Sequence, residues 1–212
     1  MIKNIAKWYQ SYKERKEQRH QALIEKWADI SQSCLDANKS FEKLLDGTRY
    51  INEYLKPEWA RSYQTLYITI EKNRKERKYH TEQVRIFKEY FLMFNDYCSN
   101  CNHIFMLREK DVCKQLFDNI EGRALDEQQR RCIVKDEINN IVVADAGRGK
   151  TTTIVGKVKY LLERFSYQPM ELLVLSFTHN SASEMKERIK KETGRELDVM
   201  TFHKLGKEII AT

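Results

Sequence analysis

The spacing of apolar residues along the chain changes near residue 120. Before that point apolar residues recur every three or four positions, as they do on one face of an α-helix. The series are Leu23, Trp27 and Ile30; Trp59, Tyr63, Leu66 and Ile70; and Val84, Phe87, Phe91 and Phe94. Because residues 1–120 contain one glycine and one proline, little interrupts these helices. We therefore predict an all-helical region of three to five helices.

Short apolar runs alternate with helical patterns beyond Gly122. Residues 141–144 and 172–175 have the length and composition of buried strands, and Val199-Met200 is a third, shorter candidate. Helical patterns cover residues 150–164, 181–192 and 202–210. This alternation is typical of a parallel α/β layer. We predict two domains, a helical one at 1–120 and an α/β one at 121–212, with the boundary near 119–124.

Composition narrows the class of protein. The 212 residues include 38 Lys and Arg against 31 Asp and Glu, which gives a net charge of +7 and permits a polyanionic partner without requiring one. No apolar run approaches the roughly 18 residues of a membrane-spanning helix, and the N-terminus has no secretory apolar core. Five cysteines do not form a disulfide framework. We expect a cytoplasmic protein with reduced thiols and no membrane partner.

A glycine-containing loop lies between the first strand candidate and the helix at 150–164. Its sequence from Ala144 to Thr151 is Ala-Asp-Ala-Gly-Arg-Gly-Lys-Thr. Gly147 and Gly149 allow backbone N–H groups to curl around a phosphate, and Lys150 is placed to reach the β- and γ-phosphates. The Thr151 hydroxyl is the expected Mg²⁺ ligand. The sequence predicts a site for a nucleoside triphosphate with Mg²⁺; the alternative is a chance glycine-rich turn.

Three further segments accompany this loop in a fixed order. Leu125–Arg130 (Leu-Asp-Glu-Gln-Gln-Arg) resembles a Q motif, with Gln129 located 21 positions before Lys150. Residues 175–185 resemble motif Ia and residues 201–205 (Thr-Phe-His-Lys-Leu) resemble motif Ib. With the phosphate loop as Walker A, residues 124–211 resemble the UvrD-like superfamily 1 DNA helicases, particularly helicase IV-like proteins.

The resemblance implies a fold and a nucleotide site. The fold would be an α/β P-loop (RecA-like) domain, incomplete here, preceded by the all-α N-terminal region. Gln129 would read adenine, while Lys150 and Thr151 would take the catalytic phosphate and metal roles with ATP and Mg²⁺. The implied nucleotide-binding set is Gln129, Ala144, Asp145, Ala146, Gly147, Arg148, Gly149, Lys150, Thr151 and Thr152.

Motifs Ia and Ib imply a single-stranded DNA interface. Its expected residues are Phe177, Thr178, His179, Thr201, Phe202 and His203. Phe177 is suited to stack on a base, and the hydroxyl and imidazole groups to contact phosphate or sugar. The alternative is that Phe177 and Phe202 pack against the sheet. For Lys186, Arg188, Lys190 and Lys191, a solvated helix face is the favoured interpretation.

Three residues depart from the family pattern. Asp145 stands where the family usually has glycine and adds a negative charge beside the expected phosphate. Arg148 stands where serine is common, and Asn180 replaces the usual motif Ia lysine.

Family members continue with a Walker B Asp-Glu pair and a second RecA-like domain, which the 212 residues do not contain. We therefore expect the N-terminal portion of an ATP-dependent DNA helicase that binds ATP-Mg²⁺ and single-stranded DNA. Alone it should hydrolyse ATP poorly, because metal, water and positive charge must act together. Missing helicase domains or a protein partner would complete it. The alternative is a non-catalytic nucleotide-sensing or protein-interaction module derived from a helicase.

Two weaker patterns are interpreted structurally. Cys98 and Cys101, with His103 and Cys113 nearby, suggest a zinc site, but no second Cys-x-x-Cys completes it. Free thiols on a helical segment are favoured. The basic runs Lys13–Arg19 and Lys72–Lys78 are interrupted by glutamate, which favours solvated helix faces over a DNA-binding track.

Overall fold

The computed structural model describes residues 2–145 and 147–211. The chain divides into two compact units, Met1–Asn102 and His103–Thr212. The predicted domain boundary near residue 120 stays a prediction. Across the two described ranges, no helix is both long and apolar enough to span a bilayer.

The N-terminal region is helical, as the apolar spacing predicts. Its helices are α1 (Ile2–Leu44), α2 (Leu55–Lys72), α3 (Glu82–Leu92) and α4 (Phe94–Val112), with a 3₁₀ segment at Arg74–Tyr79. Pro57 lies in the first turn of α2, where its missing N–H costs no helical hydrogen bond.

An aromatic cluster forms the core of the first unit. The fully buried Phe41 ring on α1 lies 4.7 Å from Trp59, 4.9 Å from Tyr90 and 5.2 Å from Phe94, measured between centroids. Tilted and stacked pairs at these distances add to the free energy gained by burying large rings. The aromatic residues that recur at helical spacing in the sequence therefore form this core.

A buried asparagine fixes the loop between α1 and α2. The Asn102 side chain accepts a hydrogen bond from the Ile51 amide at 2.7 Å and donates one to the Ile51 carbonyl at 2.9 Å. Both backbone groups of a buried residue are thereby satisfied outside regular secondary structure.

The second unit contains the predicted α/β elements. After α4 come α5 (Lys114–Phe117), α6 (Glu127–Val134), α7 (Lys150–Arg164), a 3₁₀ turn (Pro169–Glu171), β1 (Leu173–Ser176), α8 (His179–Thr193), β2 (Asp198–Thr201) and α9 (Phe202–Ala211). Strands β1 and β2 pair in parallel, with Ser176 opposite Thr201. The β1–α8–β2 segment is thus a strand–helix–strand unit. The helix at 150–164 and both later strand predictions are confirmed.

The strand predicted at residues 141–144 is wrong. The segment has no strand pairing, and Ile141 and Val143 are each 91% exposed. A strand requires a neighbour for its backbone groups, whereas an apolar run shows only that a strand would be favourable. Within the described ranges, β1 and β2 are the two strands of the sheet and neither pairs with this segment.

Gly156 allows α6 and α7 to pack closely. A Cβ atom at Gly156 would lie 2.8 Å from the Cδ1 atom of Ile133 and 3.3 Å from that of Leu125. Both of those side chains are buried. The absence of a side chain at Gly156 therefore sets the spacing between the two helices.

A buried carboxylate anchors the far end of α7. Glu109 is fully buried and accepts hydrogen bonds from the Arg164 guanidinium at 2.9 and 3.0 Å and from the Tyr160 hydroxyl at 2.9 Å. A buried carboxylate is tolerable because these donors replace its water. Burial, with Glu109 nearby, raises the pKa of Tyr160, so the phenol stays protonated as the donor.

Replacing Gly156 with alanine tests the packing of α7. We expect Gly156→Ala to lower the free energy of unfolding by about 1–3 kcal/mol, since a methyl group would overpack the contact with Ile133. Gly206→Ala is the matched control because nothing lies within 4 Å of its Cβ position in α9. It should be neutral or stabilise by up to about 1 kcal/mol. Denaturant melts measure both; equal stability of the two variants would refute this packing role.

Candidate nucleotide site and nucleic-acid interface

The phosphate loop has the backbone conformation that its glycines predict. Gly147 and Gly149 adopt left-handed φ angles of 78° and 79°, which residues with a Cβ atom rarely adopt. Helix α7 begins immediately afterwards at Lys150, so its first backbone N–H groups have no partners inside the helix. Such a helix N-terminus favours an anion. Ala146, also predicted to bind nucleotide, lies outside the described residues.

Gln129 lies directly against Gly149. A Cβ atom at Gly149 would be 2.5 Å from the Gln129 Nε2 atom, closer than real Cβ contacts allow. A larger residue at position 149 would therefore strain the left-handed backbone and displace the end of the Gln129 side chain. The contact brings the segment that resembles a Q motif against the glycine loop.

A capping box holds Gln129 in this position. The Gln129 amide donates to the Asp126 carboxylate at 2.8 Å, and the Asp126 amide donates to Gln129 Oε1 at 2.9 Å. This reciprocal pair begins α6. The sequence analysis did not predict α6; the Asp-x-x-Gln spacing of a capping box is the signal that could have found it.

Lys150 is turned back onto its own loop. Its ammonium group donates to the carbonyl oxygens of Ala144 and Asp145, the latter at 2.9 Å. Asp145 and Arg148 are both exposed, and no ion pair joins them among the residues described. The loop thus carries two cations and one carboxylate that an incoming phosphate would meet.

Five predicted residues line one cavity of about 380 Å³. They are Gln129, Ala144, Asp145, Arg148 and Lys150. The sequence did not single out the remaining lining residues, which are Asp126, Gln128, Cys132, Val142, Val143 and Thr153. The cavity has polar groups from α6, the loop and α7, while Val142 and Val143 supply an apolar wall. This arrangement suits a ligand with both a flat ring and an anionic end.

The threonines after Lys150 occupy different environments. Thr151 is half-buried in the first turn of α7. Thr152 is buried, and its hydroxyl accepts a hydrogen bond from Arg188 at 3.2 Å, so it does not line the cavity. The Thr153 hydroxyl donates to the Gly149 carbonyl at 3.0 Å and closes the first helical turn.

Arg188 joins α8 to the region behind the phosphate loop. Its guanidinium makes two 2.7 Å hydrogen bonds to the Glu121 carboxylate as well as the contact to Thr152. These bonds hold the pKa of the Glu121 carboxyl below its ordinary value. Glu121 has a left-handed φ of 53°, unusual for a residue with a side chain. Sequence reasoning missed this pair because its members are 67 positions apart.

A second exposed surface follows the carboxyl ends of β1 and β2. Phe177 is 90% exposed and Phe202 57% exposed, and their rings meet edge to face with centroids 6.2 Å apart. The parallel register places the two residues side by side, since Ser176 pairs with Thr201. The alternative that these rings pack into the core is therefore wrong. In α/β sheets, ligands bind beyond the carboxyl ends of strands.

Two of the predicted DNA-contacting hydroxyls already serve as helix caps. Thr178 Oγ1 accepts from the Ser181 amide at 3.1 Å at the start of α8. Thr201 is buried, and its hydroxyl accepts from the Lys204 amide at 3.3 Å. His179 and His203 are exposed beside the aromatic pair. The surface thus presents two rings and two imidazoles, with the threonines ordering the backbone beneath them.

The basic face of α8 is mixed in character. Lys186 and Lys191 are exposed, and the exposed Lys190 pairs with Glu196 at 2.5 Å, as expected for a solvated helix face. Arg188 differs because it is half-buried and engaged with Glu121.

The cysteines do not gather into a metal-binding group. Cys98 is fully buried in the aromatic core, and burial raises the pKa of its thiol to about 11. Burial similarly raises the pKa of Cys34 to about 12. Over the ranges that the structure covers, no three His, Cys, Asp or Glu side chains are placed to hold a metal.

Comparison with known proteins finds similarity to DNA helicases. The family model of the UvrD/REP helicase N-terminal domain matches residues 125–212. The chain is 37% identical over 95 residues to DNA helicase IV of Escherichia coli, which covers 44% of this chain and 14% of that protein. It is 40% identical over 74 residues to ATP-dependent DNA helicase Rep of Escherichia coli, and 36% identical over 83 residues to ATP-dependent DNA helicase UvrD1 of Mycobacterium leprae.

These matches are confined to one part of each protein. The Rep and UvrD1 alignments cover 33% and 37% of this chain and 11% of each helicase. The chain therefore spans about a seventh or less of the length of the relatives named here. Residues 125–212 are therefore similar to the N-terminal domain of the UvrD/REP helicases.

Proposed function

We propose that the second unit binds ATP with Mg²⁺ and contacts single-stranded DNA, as part of an ATP-dependent DNA helicase. The observation that carries this proposal is the contact of Gln129 with Gly149 at one cavity, next to Lys150. This contact brings an amide, a left-handed glycine loop and a lysine together at a helix N-terminus. Each of the three is suited to a different part of a nucleotide.

The residues around the cavity fit a nucleoside triphosphate. Gln129 Nε2 remains available as a donor to a base, because the capping box engages only the Oε1 atom and the backbone amide. The phosphates would lie over the N-terminus of α7, where Lys150 exchanges its two carbonyl acceptors for phosphate oxygens. Thr151, in the first helical turn, would supply a hydroxyl ligand to Mg²⁺. The metal, when bound, neutralises charge on the phosphates.

Turnover by this chain alone should be slow. Phosphoryl transfer needs a positioned water and further cations in addition to the metal. Of the cavity's two carboxylates, Asp126 is engaged as the cap of α6, and Asp145 lies on the loop itself. Binding without efficient hydrolysis is therefore the activity we propose for the isolated chain.

The aromatic pair beyond β1 and β2 fits unstacked bases. Phe177 and Phe202 present ring faces and edges to solvent, and single-stranded nucleic acids stack their bases on such rings. Helix α8 begins next to Phe177 and contacts α7 through Arg188 and Thr152. The proposed DNA surface and the phosphate loop thus share one packed framework.

Removing the loop lysine tests nucleotide binding. We expect Lys150→Ala to weaken Mg²⁺-dependent binding of a fluorescent ATP analogue at least about tenfold, because a phosphate-binding cation is lost. Lys191→Ala is the control, since it removes an exposed lysine at the end of α8. Titration of both variants and the unmodified chain measures the difference. Unchanged affinity in Lys150→Ala would exclude the proposed nucleotide site.

Removing the exposed ring tests DNA binding. We expect Phe177→Ala to weaken binding of a labelled single-stranded oligonucleotide about tenfold, because base stacking on one ring contributes roughly 1–3 kcal/mol. Met170→Ala, which removes another highly exposed apolar side chain, should leave affinity unchanged. Fluorescence anisotropy at fixed salt compares them. Equal affinity of Phe177→Ala and the unmodified chain would favour a module without a DNA role.

A further inference from the structure

Among the described residues of the first unit, none covers the N-terminal part of α1. Every residue from 5 to 22 is exposed, and Ile5, Trp8, Tyr9 and Tyr12 are each 49–62% exposed. We call residues 5–19 the free arm. Contacts of α1 with the rest of the first unit begin at His20, whose Nδ1 atom lies 2.7 Å from the Tyr79 hydroxyl.

The free arm continues the stripe by which α1 packs. Stripe positions follow one another at steps of three or four residues: Ile5, Tyr9, Tyr12, Lys16, Arg19, Leu23, Trp27, Ile30, Cys34, Ala37 and Phe41. From Trp27 onward this stripe enters the core, where Trp27, Cys34 and Phe41 are at most 1% exposed. There it packs mainly against another helix, α3. The arm therefore presents a helix-packing surface that nothing in the first unit covers.

Both carboxylates of the arm lie away from the stripe, on the side that also carries Lys7. With about 3.6 residues per turn, Lys13 and Arg15 flank the stripe, on which Lys16 and Arg19 themselves lie. Glu14 and Glu17 fall on the other side of the helix, and Glu14 is hydrogen-bonded there by Gln10 at 3.0 Å. A partner on the stripe would meet apolar side chains near the N-terminus and then the cations Lys16 and Arg19, the second of which also interacts with the Glu76 carboxylate.

This distribution of charge disfavours two kinds of partner for the arm, a second copy of the chain and a lipid surface. A second copy in parallel would place Lys16 against Lys16, and an antiparallel copy centred on Tyr12 would place Arg19 against Ile5 and Lys16 against Trp8. Either pairing buries cations without carboxylates, which costs free energy. A lipid surface needs a broad apolar face, whereas this stripe is narrow and interrupted by cations.

We propose that the free arm is a docking site for an acidic amphipathic helix of a partner protein. The partner would place apolar residues against Ile5, Tyr9 and Tyr12, and carboxylates against Lys16 and Arg19. The heptad-like spacing of the stripe favours a helix as the partner, and the cations on the stripe favour a partner that carries carboxylates. The short apolar segment predicts modest affinity, with a Kd on the order of micromolar.

A pair of synthetic peptides tests this proposal with the full chain. Both peptides are helical and about three heptads long, with leucine at stripe positions; one carries glutamate at flanking positions and the other lysine. We expect the glutamate peptide to bind and to shift Trp8 fluorescence, because Trp27 and Trp59 are already buried. The lysine peptide should bind at least about tenfold more weakly, and added salt should narrow the gap.

Charge reversal within the arm supplies the matched variants. Lys16→Glu should weaken binding of the glutamate peptide about fivefold or more and strengthen binding of the lysine peptide. Lys7→Glu makes the same change on the opposite side of the arm and should alter either affinity less than about twofold. Both residues are exposed, so the fold should tolerate both substitutions.

Four results would overturn the proposal. One is equal binding of the two peptides, and another is an unchanged preference in Lys16→Glu. A third is a concentration-dependent dimer in sedimentation, which would identify a second copy as the occupant. The fourth is tighter binding of the free arm to a single-stranded oligonucleotide or to phosphatidylserine vesicles than to the glutamate peptide. None of these tests depends on the nucleotide site.

Discussion

The contact between Gln129 and Gly149 is the constraint on which the candidate site depends. A Cβ atom at Gly149 would lie 2.5 Å from Gln129 Nε2, so any side chain there would displace the end of the Gln129 side chain. The left-handed backbone there lets α7 begin directly at Lys150. One glycine thus positions an amide donor, a lysine and a helix N-terminus around a common cavity.

Other contacts in the second unit hold α6 and α7 in the relative position in which Gln129 meets Gly149. Gly156 permits close packing of α7 on Ile133 of α6, and the buried Glu109 holds the end of α7 through Arg164. Arg188 connects α8, the helix that follows Phe177, to Thr152 next to the loop. A substitution far from the cavity can therefore change its geometry through these helices.

Local patterns in the sequence predicted much of this structure. The helices of the first unit and α7–α9 follow apolar spacing, and both glycines of the loop adopt the expected conformation. The strand predicted at residues 141–144 was wrong because strand formation depends on a neighbouring strand, which composition does not reveal. The Arg188–Glu121 pair was missed because it joins residues that only folding brings together. The sequence also could not show that Phe177 lies beside Phe202, because that arrangement depends on the register of β1 with β2.

Gly149→Ala tests the central claim most directly, with Gly194→Ala as control. Both glycines have left-handed φ angles, 79° and 67°, but nothing lies within 4 Å of the Cβ position at Gly194. The two variants should therefore share the backbone strain, and only Gly149→Ala should displace Gln129. Calorimetric titration with ATP and Mg²⁺ should show binding lost in Gly149→Ala and retained in Gly194→Ala. Full ATP affinity in Gly149→Ala would contradict the account.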